Sequence, residues 1–496
     1  MAQVEQRRVS EHAGIDDRFA GRAVWLPILI IGPFVILLFC AFPHTDDICF
    51  AATWRDVGLI AMVRDLYLTF QGRIFSFVAA IVPFLVHGTL GGDLLVDFRA
   101  YCAAALGATL ALALWGCNAL LPTASRSIRL FLGLMLAAVL VAGSPQPEDM
   151  IYWATGIGFY TIPSLFCLGV MIWLYLQAVG MKPLGASAVV VLAAGGMLIA
   201  TATEISGPVL LAIVVGSFLH RWLLAGAPRQ PLAHALILGA IAIGIAVVLL
   251  SPGNAIRMRT IGTDQGIGLR ALIGLPMAVA HLAQFLVRRL TNPALLAWLI
   301  CLLCVAPRGD RRPREMATRA LLTVWWPLLT TMITIYGALW IGHVATGRLL
   351  EQRALNYLHF VLVGGLSLTA ITASAAYGER VWGMIEVRWP RFDKAKLAVA
   401  GLLFMLVTPH FLQAVQILPY VGPIHRLAQE RFAQLGDGKL PGAPIADRTL
   451  VLPAASDGDI PWFADPVKND PDAWTNGCVA RYAGVRSVEI APPTSN

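Results

Sequence analysis

The chain of 496 residues is 57% hydrophobic and only 13% charged, about half the charged fraction of a typical soluble domain (roughly 25%). Its mean hydropathy of +0.70 and its repeated apolar runs exclude a soluble enzyme and predict an all-α protein that crosses a membrane several times. The net charge of +8 does not indicate a nucleic-acid partner, because most basic residues fall in short loops between apolar runs, where they orient a membrane protein.

Three basic segments set the predicted orientation: the N-terminal tail 1–23 and the loops 308–319 and 380–396. Short cytoplasmic loops carry the excess of Lys and Arg, so we expect all three on the inside. The N-terminus is then cytoplasmic. The region 417–496, rich in Pro, Gly and Asp, is predicted to be an extracytoplasmic cap with little regular structure, in which 485–490 alternates like a strand.

Apolar runs and charge placement together predict about eleven spans and two stretches, 74–90 and 270–291, that lie along the outer interface. The first stretch contains Pro83, and the second carries Arg288 and Arg289 among apolar residues, as is typical of an interfacial amphipathic helix. The spans make up a transmembrane domain 24–416 and are predicted at 24–42, 99–121, 130–145, 157–179, 185–202, 207–220, 234–251, 292–306, 320–337, 354–376 and 397–416.

Two of the eight cysteines, Cys49 and Cys478, fall in regions predicted to lie outside the membrane. This placement allows a disulfide between them, since disulfides persist in oxidising compartments. The other cysteines lie in or near apolar runs, where a cysteine usually acts as a small hydrophobic residue.

Two adjacent carboxylates, Asp46 and Asp47, follow the first predicted span directly. An acidic side chain at membrane depth costs about 2.5–3.5 kcal/mol or more unless it is paired, binds a metal or faces water. The pair is therefore our leading candidate for catalysis, and it is also placed to hold a divalent cation such as Mg²⁺ or Mn²⁺. The structural alternative is a helix N-cap, which Thr-Asp-Asp sequences favour.

Arginines and further polar or aromatic residues fall on the same predicted face. An arginine fork matches phosphate oxygens, and aromatic rings pack against the apolar face of a sugar. The alternatives are interfacial anchors for the aromatics, a turn at Pro252-Gly253-Asn254, snorkelling arginines and a helix cap for Glu204. The candidate phosphate-binding residues are Arg73, Arg257, Arg348 and Arg353, and the candidate substrate-binding residues are Glu148, Asp149, Trp153, Tyr160, Glu204, Asn254 and His343.

A candidate base, phosphate-binding arginines and sugar-binding aromatic residues on one face together indicate glycosyl transfer from a lipid phosphate. The order of motifs resembles the GT-C superfamily of polytopic glycosyltransferases over residues 24–376, and most closely a large bacterial branch of GT-C-like proteins. The motifs are Asp46-Asp47, Gly72-Arg73, Trp153/Gly156/Tyr160 and Pro252-Gly253-Asn254/Arg257, with Phe159 where that branch usually has Asn.

The resemblance implies a polyprenyl-phosphate-linked sugar as donor, inversion at the anomeric carbon, and a site that faces the periplasm from the bacterial inner membrane. The acceptor would be an extracytoplasmic glycan or protein, and membrane lipid would surround the spans. Two other functions stay open at this point. A secondary transporter or flippase would use Asp46, Asp47 and Glu204 as ion sites, and a polymerase or ligase of lipid-pyrophosphate glycans would rely on the outer arginines and His343.

Overall fold

The computed structural model describes residues 17–179, 184–225, 230–261, 266–305, 317–388, 394–436, 446–453, 467–468, 470 and 472–491. Most of them are helical. The basic segments 1–16 and 308–316, used above for orientation, lie outside the described residues. The elements are α1 (Asp17–Ala23), α2 (Trp25–Ile36), a 3₁₀ turn (Leu37–Cys40), α3 (Thr45–Val57), α4 (Leu59–Thr69), α5 (Ile74–Ala80), α6 (Val82–Leu90), α7 (Leu94–Leu120), α8 (Arg126–Ala142), α9 (Pro147–Ile151), α10 (Ala154–Gly156), a π-helical turn (Ile157–Thr161), α11 (Ile162–Val179), α12 (Ala186–Ala200), α13 (Ser206–Ala225), α14 (Pro231–Leu249), α15 (Pro252–Ile261), α16 (Ile267–Leu290), α17 (Pro293–Val305), α18 (Ala317–Thr346), α19 (Gln352–Arg388), α20 (Lys394–Met405), α21 (Pro409–Ile417), a 3₁₀ turn (Leu418–Tyr420), α22 (Val421–Leu435), β1 (Ala446–Leu452), α23 (Trp474–Ala483) and β2 (Val485–Ile490).

Within these described ranges, eight helices are long and apolar enough to cross a membrane, which confirms an all-α polytopic membrane protein. Seven coincide with predicted spans. The remaining four predicted spans are present as shorter helices, α8, α12 and α17, and as the pair that begins with α20 and bends by 53°. The eight are Phe19–Cys40, Leu94–Leu120, Ala154–Val179, Ser206–Leu223, Pro231–Leu249, Ile267–Leu290, Val324–Thr346 and Gln352–Gly378.

The two stretches predicted to be interfacial differ in length. The first is divided at Ile81 into α5 and α6, of 7 and 9 residues, and a helix that short does not cross ~30 Å of hydrocarbon. The second is α16, which has 24 residues and is itself one of the eight candidate spans. Its interfacial position stays a prediction.

The centre of the bundle consists of α8, α11 and the first part of α19. Every residue of α8 from Phe131 to Ala142 is buried. The candidate spans Ala154–Val179 and Gln352–Gly378 have the largest buried shares, 56% and 72%. These helices are apolar on all sides because other helices, rather than lipid, surround them. The loop after α8 and the starts of α10 and α19 meet at one end of the bundle, and the candidate site lies there.

The described part of the region after residue 416 holds more regular structure than the sequence predicts. Strand β2 confirms the alternation at 485–490, and it pairs in parallel with β1. Helices α22 and α23 were not predicted, because each is short and only one face is apolar; Ile424, Ala428 and Val479 are buried. Helix α23 packs on α3, which ties this region to the helix that begins with the acidic pair.

Candidate functional site

The site is built from loops that are distant in the sequence. The start of α3 contacts α10, the 71–73 turn contacts both the 201–205 turn and α15, and the loop after α8 contacts the start of α19. Hydrogen bonds between residues more than 100 positions apart include the pairs Asp47–Thr155, Arg73–Glu204, Gly72–Asn254 and Gln146–Asn356.

Asp47 is completely buried and serves as the joint between two of these loops. Its Oδ2 accepts a hydrogen bond from the backbone N–H of His44 (2.9 Å), the residue before α3. Its Oδ1 accepts from both the backbone N–H (2.8 Å) and the hydroxyl (2.6 Å) of Thr155. Burial raises the pKa of Asp47 to about 7, although these hydrogen bonds oppose the shift. Both oxygens therefore have structural partners.

Asp46 is only half-buried and lies in a different environment. Burial raises the pKa of its carboxyl, and the nearby guanidinium of Arg353 lowers it. Asp149 belongs to the same group: burial raises its pKa to about 6, Arg353 opposes that shift, and the negative charges of Glu351 and Asp46 add to it. Two acids thus share one arginine at the mouth of the site.

Arg353 connects these acids with an aromatic surface. Its guanidinium lies 5.6 Å from the ring centre of Trp153, and it forms an ion pair with Glu351. The imidazole of His44 also stacks on Trp153, at 6.2 Å between ring centres. The indole therefore contacts both a ring and a cation. The Arg353 and Glu351 side chains are 37% and 67% exposed. This ion pair is therefore the exposed part of the cluster.

A second charged group is formed by Arg73, Glu204 and Arg257. Arg73 donates to Glu204 Oε2 through Nε (2.9 Å) and Nη2 (2.6 Å). Arg257 Nη1 donates to Gln71 Oε1 at 2.6 Å and lies 3.5 Å from Glu204 Oε1. The Arg73 and Glu204 side chains are only 12% and 15% exposed. Removing one partner of such a pair leaves a buried charge uncompensated, which typically costs about 3–5 kcal/mol.

Tyr160 joins the two groups. It lies in the π-helical turn before α11, a local geometry that frequently occurs at functional sites. Its hydroxyl contacts the Arg73 guanidinium, and the charge of Arg353 acts on it from the other side. The ring of Phe159 lies 5.2 Å beneath the same Arg73 guanidinium. The acids and the arginines therefore form one continuous cluster around the start of the α10–α11 span.

Glu148 has a buried oxygen, Oε2, with no hydrogen-bond partner among the described residues. Burial raises the pKa of this carboxyl to about 7, and Asp149 adds to the shift. A half-satisfied buried carboxyl is costly unless it is protonated or meets a further donor. Glu148 is thus suited to accept a hydrogen bond from a bound hydroxyl compound.

Asn254 has an internal role in the structure. Its Oδ1 accepts from the Gly72 N–H (3.3 Å) and its Nδ2 donates to Val248 O (2.7 Å). Gly253 beside it is so close to the 70–71 backbone that a Cβ would lie 2.6 Å from Gln71 N. The Pro-Gly-Asn sequence, for which a turn was the structural alternative, begins helix α15 and fixes it against the Gly-Arg turn. Asn254 therefore positions Arg73 and Arg257.

Two predicted residues are not brought into the cluster by any contact within the described ranges. Arg348 is exposed, and its backbone exchanges hydrogen bonds with Thr346. His343 is buried and packs against Gly274 of α16. Their roles in phosphate and substrate binding stay predictions.

The sequence alone assigned no catalytic or binding role to Thr155, Gln71 or Glu351. Thr155 holds Asp47, Gln71 holds Arg257, and Glu351 pairs with Arg353. Gln71 and Glu351 lie next to predicted residues, so proximity in the sequence is a usable signal. Thr155 acts through a contact that spans 108 positions, for which a single sequence carries no signal.

The donor set of the acidic pair does not suit a metal ion. Both oxygens of Asp47 already accept hydrogen bonds from protein groups, and Asp46 faces a cation, Arg353. In the part of the chain that the structure describes, no three His, Cys, Asp or Glu side chains are grouped as metal ligands. We therefore derive no step through the Mg²⁺ or Mn²⁺ that the sequence allows.

The motifs in this cluster are those that carry the resemblance to GT-C enzymes, and the comparisons with known proteins add no relative. No protein-family model, curated protein or solved structure gives a match to the chain.

Proposed function

We propose that this protein is an integral membrane glycosyltransferase that moves one sugar from a polyprenyl-phosphate donor to an extracytoplasmic acceptor in the bacterial inner membrane. The observation that carries the proposal is a continuous cluster in which the half-buried Asp46 lies near Arg353, and Arg353, Arg73 and Arg257 lie near Tyr160. Such a cluster offers a proton acceptor and an anion-binding group within reach of one substrate.

In the proposed reaction the acceptor hydroxyl attacks the anomeric carbon while Asp46 takes its proton. The bond between the anomeric carbon and the phosphate oxygen breaks, and the polyprenyl phosphate leaves with the bond's electron pair. Arg257 stabilises the charge of the departing phosphate. A single displacement of this kind inverts the anomeric centre. Trp153 is buried against the Arg353 guanidinium, so we assign it the positioning of this arginine.

The contacts of the two adjacent acids favour Asp46 over Asp47 as the base. Asp47 uses both of its oxygens to hold His44 and Thr155 in place. Asp46 is more accessible and lies beside Asp149 and Arg353. We therefore assign proton transfer to Asp46 and the positioning of α3 against α10 to Asp47.

The disulfide between Cys49 and Cys478 supports the extracytoplasmic position of the site. It joins α3, which begins with the acidic pair, to α23, and structural disulfides persist on the oxidising side of a membrane. The contacts of α16 agree with an interfacial helix on this face: Trp340 near one end donates to Ala271 O, and Arg289 near the other donates to Gly143 O.

The position of the acids also distinguishes the proposal from a secondary transporter. Transporter ion sites lie near the bilayer midplane, usually between repeats. Asp46 and Glu204, in contrast, lie beyond the ends of the candidate spans. A pyrophosphate-glycan polymerase that relies on Arg348 and His343 gains no support from their contacts.

Replacing Asp46 by Asn tests the proposal. The measurement is mass spectrometry of surface glycans and glycoproteins in a deletion strain that carries either the variant or the wild-type gene. A sugar that is missing from the deletion strain should return with the wild-type gene and not with the variant. We expect Asp46→Asn to reduce transfer by about 10²–10⁴-fold, the typical contribution of a general base, without loss of membrane insertion.

The matched control is Asp65→Asn, which removes the same charge from an exposed position on α4 and should leave the glycan pattern unchanged. Near-normal glycans with Asp46→Asn would contradict the assignment. Uptake of substrate into sealed vesicles without any covalent product would instead support a transporter.

A further inference from the structure

Glu204 contacts both Arg73 and Arg257, two of the arginines that the sequence analysis selects as phosphate-binding candidates. Its Oε2 accepts hydrogen bonds from Arg73 Nε and Nη2, and its Oε1 lies 3.5 Å from Arg257 Nη1. The Arg73 guanidinium also contacts the Tyr160 hydroxyl and lies over the Phe159 ring. Arg73 is therefore already paired, and at 12% exposure it lies deeper than Arg257, whose side chain is 29% exposed.

The charges in this part of the site can be counted from these contacts. Arg73 and Glu204 neutralise each other, and Arg353 is paired with Glu351. Arg257 has the neutral side chain of Gln71 as its nearest partner at 2.6 Å, and it retains donors that neither Gln71 nor Glu204 uses. Arg73, Arg257 and Glu204 together thus carry one net positive charge, whereas Asp46 lies with Arg353 in the other group.

Lipid-linked sugars occur with two phosphate chemistries that differ in charge. A phosphodiester carries one negative charge at neutral pH, whereas a pyrophosphate diester carries two. In a partly buried site an unmatched charge is strongly unfavourable, so the net charge of the binding group selects between the two chemistries.

We propose that Glu204 is a specificity-determining residue, which neutralises Arg73 so that the site matches a lipid phosphodiester with one negative charge and disfavours a lipid pyrophosphate. Arg257 is then the direct phosphate ligand, and the less exposed Arg73–Glu204 pair contacts Arg257 without binding the phosphate itself. This inference rests on the proposed function, because it assumes that the cluster binds a lipid phosphate, and it assigns to Glu204 a role that the resemblance does not include.

Binding of two synthetic probes to the purified full-length protein in detergent tests the inference. Farnesyl methyl phosphate carries one negative charge, and farnesyl methyl diphosphate carries two. We expect the wild type to bind the monophosphate probe more tightly. Glu204→Gln adds one net positive charge to the site, so the ratio of the two dissociation constants should move toward the diphosphate by about tenfold.

A double variant keeps the test valid if Glu204→Gln folds poorly. Arg73→Gln combined with Glu204→Gln removes both charges of the pair, so the net charge is unchanged and the probe preference should return to that of the wild type. Glu204→Asp should also retain the wild-type preference. Asp447→Asn, which removes an exposed charge on β1 (85% exposed), controls for the general change in protein charge.

The outcomes separate the two proposals. Binding of both probes with the same ratio in the wild type and in Glu204→Gln would overturn the role of Glu204 and leave the proposed function intact. A wild-type protein that binds neither probe would contradict lipid-phosphate recognition, and with it both proposals.

Discussion

The two adjacent acids differ in what surrounds them, although the sequence presents them as equivalent. Asp47 is fixed by three donors, and Asp46 lies beside an arginine and a second acid. That both acids belong to a polar cluster was predictable from their position after the first span, because an acidic side chain at that depth is costly unless it is paired or faces water. The division of roles was not, because it depends on Thr155, which lies 108 positions from Asp47.

With Asp46 as the proposed base, the shared arginine should make transfer activity depend on pH in a defined direction. The pKa of Asp46 is raised by burial and lowered by Arg353, and Asp149, with a pKa of about 6, depends on the same cation. A base must be ionised, so kcat/KM should rise with pH through the pKa of Asp46 in the free enzyme. Arg353→Gln removes the positive charge and should move this acid limb to higher pH.

The measurement is a pH profile of transfer by the purified enzyme between about pH 5 and pH 8. Arg64→Gln, which removes an exposed arginine on α4, should leave the acid limb at the same pH as in the wild type. An acid limb at the same pH in Arg353→Gln and in the wild type would show that this arginine does not act on the base.

At the scale of elements, the sequence predicted where helices lie better than how long they are. All eleven predicted spans contain a helix, because apolar runs bounded by charge and turn residues are strong signals. Predicted lengths failed for α18 and α19, which have 30 and 37 residues, because α19 stays helical beyond Arg380, where the charges predict a loop, and α18 continues past the predicted boundary at 337 to Thr346. The short elements α5, α9 and α10 take their positions from tertiary contacts.

Gly156 shows how closely these short elements pack at the site. A Cβ at this position would lie 1.8 Å from the carbonyl oxygen of Asp149 and 2.8 Å from the Trp153 ring. Gly156→Ala should therefore displace the loop that carries both residues and lower the stability of the protein by about 1–3 kcal/mol. The midpoint of thermal unfolding in detergent and the transfer activity should both decrease.

Gly169 provides the matched control in the same span. A Cβ there would meet only Leu112 Cδ1, at an ordinary 3.5 Å, and alanine generally favours a helix over glycine by about 0.5–1 kcal/mol. Gly169→Ala should be neutral or slightly stabilising. Equal effects of the two substitutions would mean that helix propensity, and not contact with the Asp149 loop, determines the result.

At the scale of the whole molecule, the region after residue 416 is attached directly to the site. The Cys49–Cys478 disulfide joins α3 to α23, Arg481 donates to Asp56 at 2.7 Å, and Arg55 lies 4.3 Å from the ring centre of Tyr482. The sequence predicted the disulfide only as an allowed pairing, because two extracytoplasmic cysteines carry no information about distance. The helix on which Cys478 lies was not predicted.

Loss of this disulfide should destabilise the protein measurably. A cross-link restricts the unfolded chain, so a reducing agent should lower the midpoint of thermal unfolding of the wild type by roughly 5 °C. The variant Cys49→Ser/Cys478→Ser should unfold at the reduced wild-type temperature and show no further change with reductant. A wild-type midpoint that is insensitive to reductant would argue against the cross-link.

The disulfide also has a consequence for the order in which the site is assembled during synthesis. Cys478 is translated 429 residues after Cys49, which at about 5–20 residues per second takes roughly 20–90 s. Thr155, the hydrogen-bond partner of Asp47, is translated only 108 residues after it. Synthesis therefore supplies both partners of this hydrogen bond well before both cysteines, and the disulfide can form only once Cys478 has been made.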